Sequence, residues 1–239
     1  MLSSSRDKTI RLWDIETLKC LEIYLGHTDS VFGLTFFNDL PLFASGSYDK
    51  TIKLWGLASQ NCTYTLELEN SIYEIRSYNI NEIGPCLVAG DSQGNLYFVF
   101  LIDGICLKKR SKIKAHEGCI LRICYIKSVG LIATSANKDK MLKLWNSSTM
   151  NIVHQLNIHD EGGISGLFYD EVNDILISSG KDNSIKIIKC DKFEILNEYK
   201  DSFTQFGGVV WIPKKNVLIS CGGKKINSNV KMTINIRYF

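Results

Sequence analysis

The segment Asp49–Trp55, which reads DKTIKLW, decides the fold of this chain because it recurs. The same pattern occurs at 7–13 as DKTIRLW and at 139–145 as DKMLKLW, and a degenerate copy at 182–188 reads DNSIKII. Neighbouring copies are about 42 residues apart, or about twice that distance. Repetition at this period predicts one supersecondary unit per copy, and each unit needs its neighbours to bury both of its faces.

Two weaker copies fill the gaps in the period. Residues 89–99 (AGDSQGNLYFV) overlay 45–55, with Gln93 in the place of Asp49. A last copy follows residue 217, with Lys224 in that place. The copy around Gln93 has no histidine in the loop before it and no acidic residue at the Asp49 position. It is therefore expected to depend on packing alone.

The unit 26–68 shows what one copy contains. Four β-rich runs separated by turn residues predict strands at Ser30–Phe36, Leu42–Gly46, Thr51–Trp55 and Thr63–Leu68. The first two runs are nearly continuously apolar, which is typical of strands covered on both faces, whereas the third alternates. Each unit is therefore predicted to be a four-stranded blade.

The order Gly-His, Ser-Gly, Asp and Trp within a unit resembles the WD-repeat β-propeller family, and the resemblance covers essentially the whole chain. It implies an all-β propeller of about six blades in a single domain, 1–239. The units are expected at approximately 1–25, 26–68, 69–114, 115–157, 158–200 and 201–239. The first and last blades are expected to be incomplete, and the chain is interpreted as part of a longer propeller.

The resemblance also implies a buried hydrogen-bond network in each blade. Its members are a loop His, a Ser or Thr of the second strand, the Asp of the next turn and the Trp of the third strand, which can satisfy one another away from water. Carried over to this sequence, the members are His27, Ser45, Asp49 and Trp55; His116, Ser135, Asp139 and Trp145; His159, Ser178 and Asp182; and Ser3, Asp7 and Trp13.

Composition narrows the class of protein. The 239 residues are 45% hydrophobic with a net charge of +3, and no apolar run approaches the ~18 residues that a membrane helix needs. The N-terminal residues do not resemble a signal peptide. The eight cysteines contain no C-x-x-C pair and do not recur with the repeat. We interpret them as buried apolar residues in a reducing compartment, which predicts a cytoplasmic or nuclear protein.

No catalytic, cofactor-binding or metal-binding residue is predicted, and the chain is not expected to be an enzyme. Three of the four histidines recur in register with the repeat, which favours a structural role. His154 is near His159 in sequence, but it falls on a predicted outer strand, a poor geometry for a metal site. The Gly pairs at 207–208 and 222–223 lack the Lys and the helix of a phosphate loop.

A basic run at 107–114 (LKKRSKIK) places five cations in seven positions. Such a run can form a stripe for nucleic acid, or a solvated edge strand that resists aggregation. No stacking aromatic interleaves with the charges, so the edge strand is favoured and nucleic acid is an unlikely partner.

The residues just before the repeated Asp are predicted to lie at turn tips around one face of the propeller. The candidate partner-binding residues are these tips and the start of one inner strand: Arg6, Tyr48, Lys138, Lys181, Ser30 and Phe32. Cations around a concave mouth would attract an acidic or phosphorylated segment of another protein.

The favoured function is therefore a non-enzymatic scaffold for protein–protein interactions. One alternative is the substrate-recognition part of a larger assembly such as a ubiquitin ligase, whose WD-repeat receptors often carry Arg two residues after Trp-Asp. Here 13–16 read WDIE, which lowers that option. The other alternative is a propeller that associates with nucleic acid through its basic edge.

Overall fold

The computed structural model describes residues 1–80, 84–104, 106–200, 205–215, 217–226 and 229–238. These residues form β-strands and one short 3-10 turn at Pro213–Lys215. They make six antiparallel sheets, and each sheet lies within one of the predicted repeat units. The expected all-β, six-bladed propeller class is confirmed. No helix in the described ranges has the length and apolar character to span a membrane.

The chain divides into two compact units, Met1–Ala115 and His116–Phe239. The first unit holds three blades. Their strands are β1 (Leu2–Ser4), β2 (Ile10–Trp13) and β3 (Cys20–Tyr24); β4 (Val31–Phe36), β5 (Leu42–Ser47), β6 (Thr51–Gly56) and β7 (Cys62–Glu67); and β8 (Ile72–Ile80), β9 (Gly84–Asp91), β10 (Asn95–Ile102) and β11 (Cys106–Lys114).

The second unit also holds three blades. Their strands are β12 (Ile120–Ile126), β13 (Leu131–Ala136), β14 (Met141–Asn146) and β15 (Ile152–Asn157); β16 (Ile164–Asp170), β17 (Ile175–Gly180), β18 (Ser184–Lys189) and β19 (Ile195–Lys200); and β20 (Gln205–Ile212), β21 (Val217–Ile226) and β22 (Asn229–Tyr238). The first and last blades each contain three described strands, as expected.

Consecutive blades of the first unit pack on each other, β1 against β4, and β4 together with β5 against β8. Glycine makes the second contact close. A Cβ on Gly33 would come within 2.9 Å of the Ile75 side chain, and one on Gly46 within 2.6 Å of Ile72. Both isoleucines are fully buried. Small residues on the second blade therefore let the third blade's inner strand lie flat against it.

Each unit has an apolar core between its blades. In the first unit, Ala44, Ile52 and Leu54 of the second blade pack with Leu87 and Tyr97 of the third, and all five are fully buried. The β5–β6 register pairs Ala44 with Leu54, so alternate residues of the repeated DKTIKLW segment enter this core. Thr51, Lys53 and Trp55 alternate with these residues along β6 and point to the opposite side of the blade.

Candidate functional site

The second blade contains the predicted polar network as one chain of contacts. His27 Nδ1 donates to Asp49 Oδ2 at 2.7 Å, since a carboxylate only accepts. His27 Nε2 lies 2.6 Å from Ser45 Oγ, and the same hydroxyl oxygen accepts a hydrogen bond from Trp55 Nε1 at 2.8 Å. Thr51 donates to Asp49 Oδ1 from its backbone N at 3.0 Å and from its hydroxyl at 2.6 Å. The network thus links the entry loop, the second strand, the turn and the third strand.

The charge state of Asp49 follows from these contacts. Burial alone would raise the pKa of the carboxyl group. Hydrogen bonds from His27, Thr51 and the backbone N of Thr28 outweigh burial and hold the pKa of Asp49 well below its usual range. Asp49 is therefore a carboxylate at any physiological pH, and both of its oxygens already accept hydrogen bonds within the network.

The fourth blade has the same network but corrects one predicted member. His116 Nδ1 lies 2.8 Å from Asp139 Oδ2. His116 Nε2 lies 2.7 Å from the hydroxyl of Thr134, and Trp145 Nε1 donates to that hydroxyl at 2.9 Å. Ser135, which we expected in this place, donates to the carbonyl of the next inner strand at Ile164, 3.3 Å away.

The physical reason is one extra residue in the turn before Asp139. Counting back from the Asp shifts the alignment by one, and successive residues of a strand point to opposite faces. The ladder shows the true equivalence, because Thr134 pairs with Ile123 just as Ser45 pairs with Leu34. Asn137 then takes the position of Tyr48, since its backbone N donates to the inner strand at Cys119.

The fifth blade keeps the network without a tryptophan. His159 Nδ1 lies 2.9 Å from Asp182 Oδ1 and 3.0 Å from Ser184 Oγ, and Nε2 lies 3.0 Å from Ser178 Oγ. Ile188 stands where the other blades have Trp, and it is fully buried. Burial lowers the pKa of His159, with Asp182 opposing in part, so the imidazole is neutral near pH 7.

The first blade has only the outer half of the network. Trp13 Nε1 donates to Ser3 Oγ at 2.8 Å. Asp7 accepts hydrogen bonds from the backbone N of Thr9 at 2.9 Å and from its hydroxyl at 2.6 Å. The Asp7 side chain is 47% exposed, whereas that of Asp49 is 4% exposed. This difference makes Asp7 a natural control for Asp49.

The third blade does not depend on packing alone, contrary to the sequence expectation. Asp91 is fully buried at the end of β9, two residues before Gln93. Its carboxylate accepts hydrogen bonds from Asn70 Nδ2 at 2.9 Å, Asn95 Nδ2 at 2.7 Å and Tyr97 OH at 2.9 Å, and also from the backbone N of Gln93 and Asn95 at 2.8 Å. The blade therefore has a polar network centred on another residue. The Asn70–Asp91–Asn95 pattern was visible in the sequence but did not match the repeat.

The polar side chains of these networks are engaged with one another. In the second, fourth and fifth blades the repeated His and Asp side chains bond to one another and are buried or partly buried. In the described ranges, no three His, Cys, Asp or Glu side chains come together as metal ligands would. All eight cysteines are free thiols. The sixth-blade candidate Lys224 lies outside the residues whose side chains are described.

The turn tips of the first unit are fixed beside the inner strands of the following blades. The carbonyl of Ser5, next to Arg6, accepts a hydrogen bond from the backbone N of Val31 at 3.0 Å. The carbonyl of Tyr48 accepts one from the hydroxyl of Ser71 at 3.0 Å. Each tip thus lies next to the first residues of the neighbouring inner strand.

This arrangement assembles a cluster of three aromatic side chains, Phe32, Tyr48 and Tyr73, which we call the aromatic cluster. The Phe32 ring stacks on Tyr73 with centroids 4.6 Å apart, and Tyr48 meets Phe32 edge-on at 4.9 Å and Tyr73 at 5.8 Å. All three are half-buried. The predicted residue Ser30 is also half-buried and accepts the backbone N of Tyr48 through its carbonyl at 2.9 Å. Sequence analysis missed Tyr73, although it is the second residue of β8, the inner strand of the third blade.

The candidate cations lie in both units. Arg6 is exposed in the first unit, and Lys138 and Lys181 are exposed in the second. Within the second unit, Lys181 Nζ donates to the carbonyl of Asn137, the residue before Lys138, at 3.1 Å. Lys181 is at the Tyr48 position of its blade, because its backbone N donates to the inner strand at Gly163. Lys138 is the extra turn residue. The expected convergence of all three cations on one face stays a prediction.

Comparison with known proteins agrees with the repeat. The family model for the "WD domain, G-beta repeat" matches residues 1–14, 18–56 and 150–189. WD repeat-containing protein 37 of Homo sapiens is 25% identical over 159 residues, covering 66% of this chain and 31% of that protein. TBC1 domain family member 31 of Homo sapiens is 26% identical over 148 residues, covering 45% of this chain and 14% of that protein. An uncharacterized WD repeat-containing protein of Acanthamoeba polyphaga mimivirus is 26% identical over 130 residues, covering 54% of this chain and 23% of that protein. The chain spans less than a third of the length of each relative.

Proposed function

Because the chain belongs to the WD-repeat β-propeller family, we propose that it is a non-enzymatic scaffold that binds other proteins through its turn-tip face. Propellers of this family generally mediate protein–protein interactions. Within this chain, the repeated polar side chains are occupied in holding the turns, which leaves the residues at the tips to contact partners. The cysteine pattern supports a reducing compartment, either cytoplasm or nucleus.

The aromatic cluster is the observation that carries this proposal. Phe32, Tyr48 and Tyr73 come from two blades and pack on one another at 4.6–5.8 Å while staying partly exposed. Aromatic side chains are enriched at the centres of protein interfaces, where they supply much of the binding energy. A preassembled cluster also loses little conformational freedom when a partner binds.

The partner that we propose is an acidic or phosphorylated segment of another protein. Arg6 is exposed one residue after Ser5, whose carbonyl bonds to Val31 beside Phe32. A guanidinium suits a carboxylate or phosphate because it can donate two parallel hydrogen bonds. We further propose that Lys138 and Lys181 strengthen the attraction for such a segment.

The aromatic part of the proposal is tested by a double substitution, Tyr48→Ser with Tyr73→Ser. Partners captured from native lysate by the tagged protein would be identified by quantitative mass spectrometry, and their affinity then measured with purified partner. An interface anchor contributes about 2 kcal/mol or more, so affinity should fall by about 30-fold or more. Phe36→Ser is the matched control, because Phe36 is an exposed aromatic residue (41%) on the same strand as Phe32 and outside the cluster. Equal losses in the two variants would reject the aromatic cluster as the binding surface.

The charge part has its own experiment, in which Arg6, Lys138 and Lys181 are changed to Glu. Affinity for the partner should fall, and the residual binding should depend less on salt, because screening weakens only the charged contribution. Arg6→Glu is also measured by itself, since it lies in the unit that carries the aromatic cluster. Unchanged affinity in the triple variant would remove acidic segments as the partner class without affecting the aromatic result.

A further inference from the structure

The outer strand of the third blade differs from the outer strands of the other four-stranded sheets. β11 has nine residues, whereas β7, β15 and β19 have six each. It lies at the edge of its sheet, with β10 as its neighbour. Five of its residues are cations, namely Lys108, Lys109, Arg110, Lys112 and Lys114. The strand is thus long, basic and at an edge.

The cations at the two ends of β11 differ in whether they contact other groups of the protein. Lys112 forms an ion pair with Glu69, and Lys114 Nζ donates to the carbonyl of Gln93 at 2.6 Å. Lys108 and Lys109 are exposed, and in the described part of the chain neither has a carboxylate within ion-pair distance. Their charges are therefore available to a partner.

The available cations lie on both faces of the strand. Lys109 pairs with Val99 and Lys108 with Phe100, so their side chains point to opposite sides of the sheet. Arg110 lies at the bulge opposite Phe98 and Val99, and its guanidinium carbon is 5.1 Å from the centroid of the Phe100 ring. A partner that neutralises this segment must therefore present negative charge on two successive residues.

The same features favour a protein strand over nucleic acid. Single-stranded nucleic acid binds through base stacking on aromatic rings as well as through charge. Here Arg110 covers the Phe100 ring, and the Tyr97 ring is buried with Lys112 Nζ 6.0 Å from its centroid. A sheet edge instead offers backbone groups to an added strand, and lysines on that edge repel a second copy of the same edge.

We propose that β11 is a docking edge for an extended segment of another protein that contains consecutive acidic residues. The segment adds to the third blade as a fifth strand. Main-chain hydrogen bonds supply affinity, and Lys108, Lys109 and Arg110 select for acidic side chains on both faces. This site is separate from the aromatic cluster and does not depend on the proposal made for it.

The test uses fluorescence anisotropy with the purified chain and three labelled probes. The first is the peptide Thr-Val-Thr-Glu-Glu-Glu-Val-Thr-Val. The second, Thr-Val-Pro-Glu-Glu-Glu-Pro-Thr-Val, has the same charge, but its prolines remove backbone donors and oppose strand pairing. The third is an oligothymidylate. The double variant Lys108→Glu/Lys109→Glu is compared with Lys19→Glu/Lys192→Glu, which changes net charge equally at exposed turns before two other outer strands.

The proposal expects the first peptide to bind at least about tenfold more tightly than the proline peptide, because only the first can pair as a strand. The β11 double variant should lose about tenfold or more of that affinity, and the control variant less than about twofold. Equal binding of the two peptides would reduce the site to non-specific charge attraction and overturn the proposal. Tighter binding of oligothymidylate than of the first peptide, or no peptide binding at all, would also overturn it.

Discussion

Replacing Asp49 by alanine is expected to destabilise the protein by about 2–4 kcal/mol. The carboxylate accepts hydrogen bonds from His27 Nδ1, from the backbone N and hydroxyl of Thr51, and from the backbone N of Thr28. Water can replace the contact to Thr28, which is exposed. The His27 side chain is 1% exposed and Thr51 is half-buried, so three donors on these two residues are left without a ready acceptor. A buried unsatisfied donor costs about 1–3 kcal/mol, and three donors near the low end of that range, because Thr51 is only half-buried, give the expected cost.

Asp7→Ala is the matched control for this substitution. Asp7 stands at the same place in the first blade and also accepts two hydrogen bonds from the threonine two residues later. Its side chain is 47% exposed, so water can satisfy the donors that the substitution leaves. The loss of stability should therefore be below about 1 kcal/mol.

Urea unfolding, followed by circular dichroism, would measure both changes, with a thermal melt as a second measurement. For a chain of this size each kcal/mol lowers the Tm by about 2–4 °C, so Asp49→Ala should lower it by roughly 5–15 °C. An unchanged urea dependence of the unfolding free energy would show that the same cooperative unit unfolds in each variant. If Asp49→Ala costs no more than Asp7→Ala, burial of the network does not stabilise the blade and the reasoning is wrong.

Three further predictions concern the other blades. Thr134→Val keeps the side-chain shape but removes the hydroxyl to which both His116 Nε2 and Trp145 Nε1 bond, so it should cost about 2–4 kcal/mol. Ser135→Ala should cost less than about 1.5 kcal/mol. Urea unfolding would show the reverse order if Ser135 were the network member. Asp91→Ala should cost at least about 2 kcal/mol, because Tyr97 and Asn95 lose a fully buried acceptor, and a cost below about 0.5 kcal/mol would return the third blade to packing alone. Burial lowers the pKa of His159, so the contribution of its neutral form to stability is complete above about pH 6.5, the pKa of an unperturbed His, and is lost as the pH falls toward the folded-state pKa. The Tm should therefore drop between about pH 7.5 and pH 5, and it should drop less in His159→Gln. Equal pH slopes of the Tm in the two proteins would contradict this assignment.

The sequence predicted the blades well because periodicity is a local property. In the repeat unit 26–68 all four observed strands begin and end within one residue of the predicted bounds. Alternation of apolar residues in DKTIKLW also predicted which side chains enter the core. The inner and outer strands needed no information beyond the repeat itself.

The errors in the predicted networks arose at two places: a turn that has one extra residue, and a blade in which the network is centred on a residue outside the repeat pattern. One extra residue in the turn before Asp139 moved the hydroxyl of the network from Ser135 to Thr134 and moved Lys138 out of the tip position. Only strand pairing distinguishes these alignments, and pairing is set by the fold. The acidic residue of the third blade lies two positions earlier than the repeat predicted, at Asp91, and no periodic rule would have found it.

The aromatic cluster could not have been predicted from spacing, because its members meet only when two blades stack. Phe32 and Tyr73 are on consecutive inner strands, and Tyr48 is on the turn between them in sequence. The sequence gives each residue a place within its own blade, but it does not show how near that place is to the next blade. Contacts between repeats are therefore the part of such a site that needs a structure.

Adjacent residues of the repeat have different roles, because the Asp stabilises the turn and the residue before it forms the turn tip. Asp49 and Asp182 are held by their histidines in the same way, yet the residues before them are Tyr48 and Lys181. The carboxylate fixes the turn through buried contacts, so the tip residue is held in place whatever its own side chain is. Substitution at an exposed tip such as Lys181 should then cost less than about 0.5 kcal/mol, while substitution of Asp182 costs several times more. A repeat built in this way can change the chemistry of its binding face without losing its fold, because the residue that selects a partner and the residue that stabilises the blade are different ones.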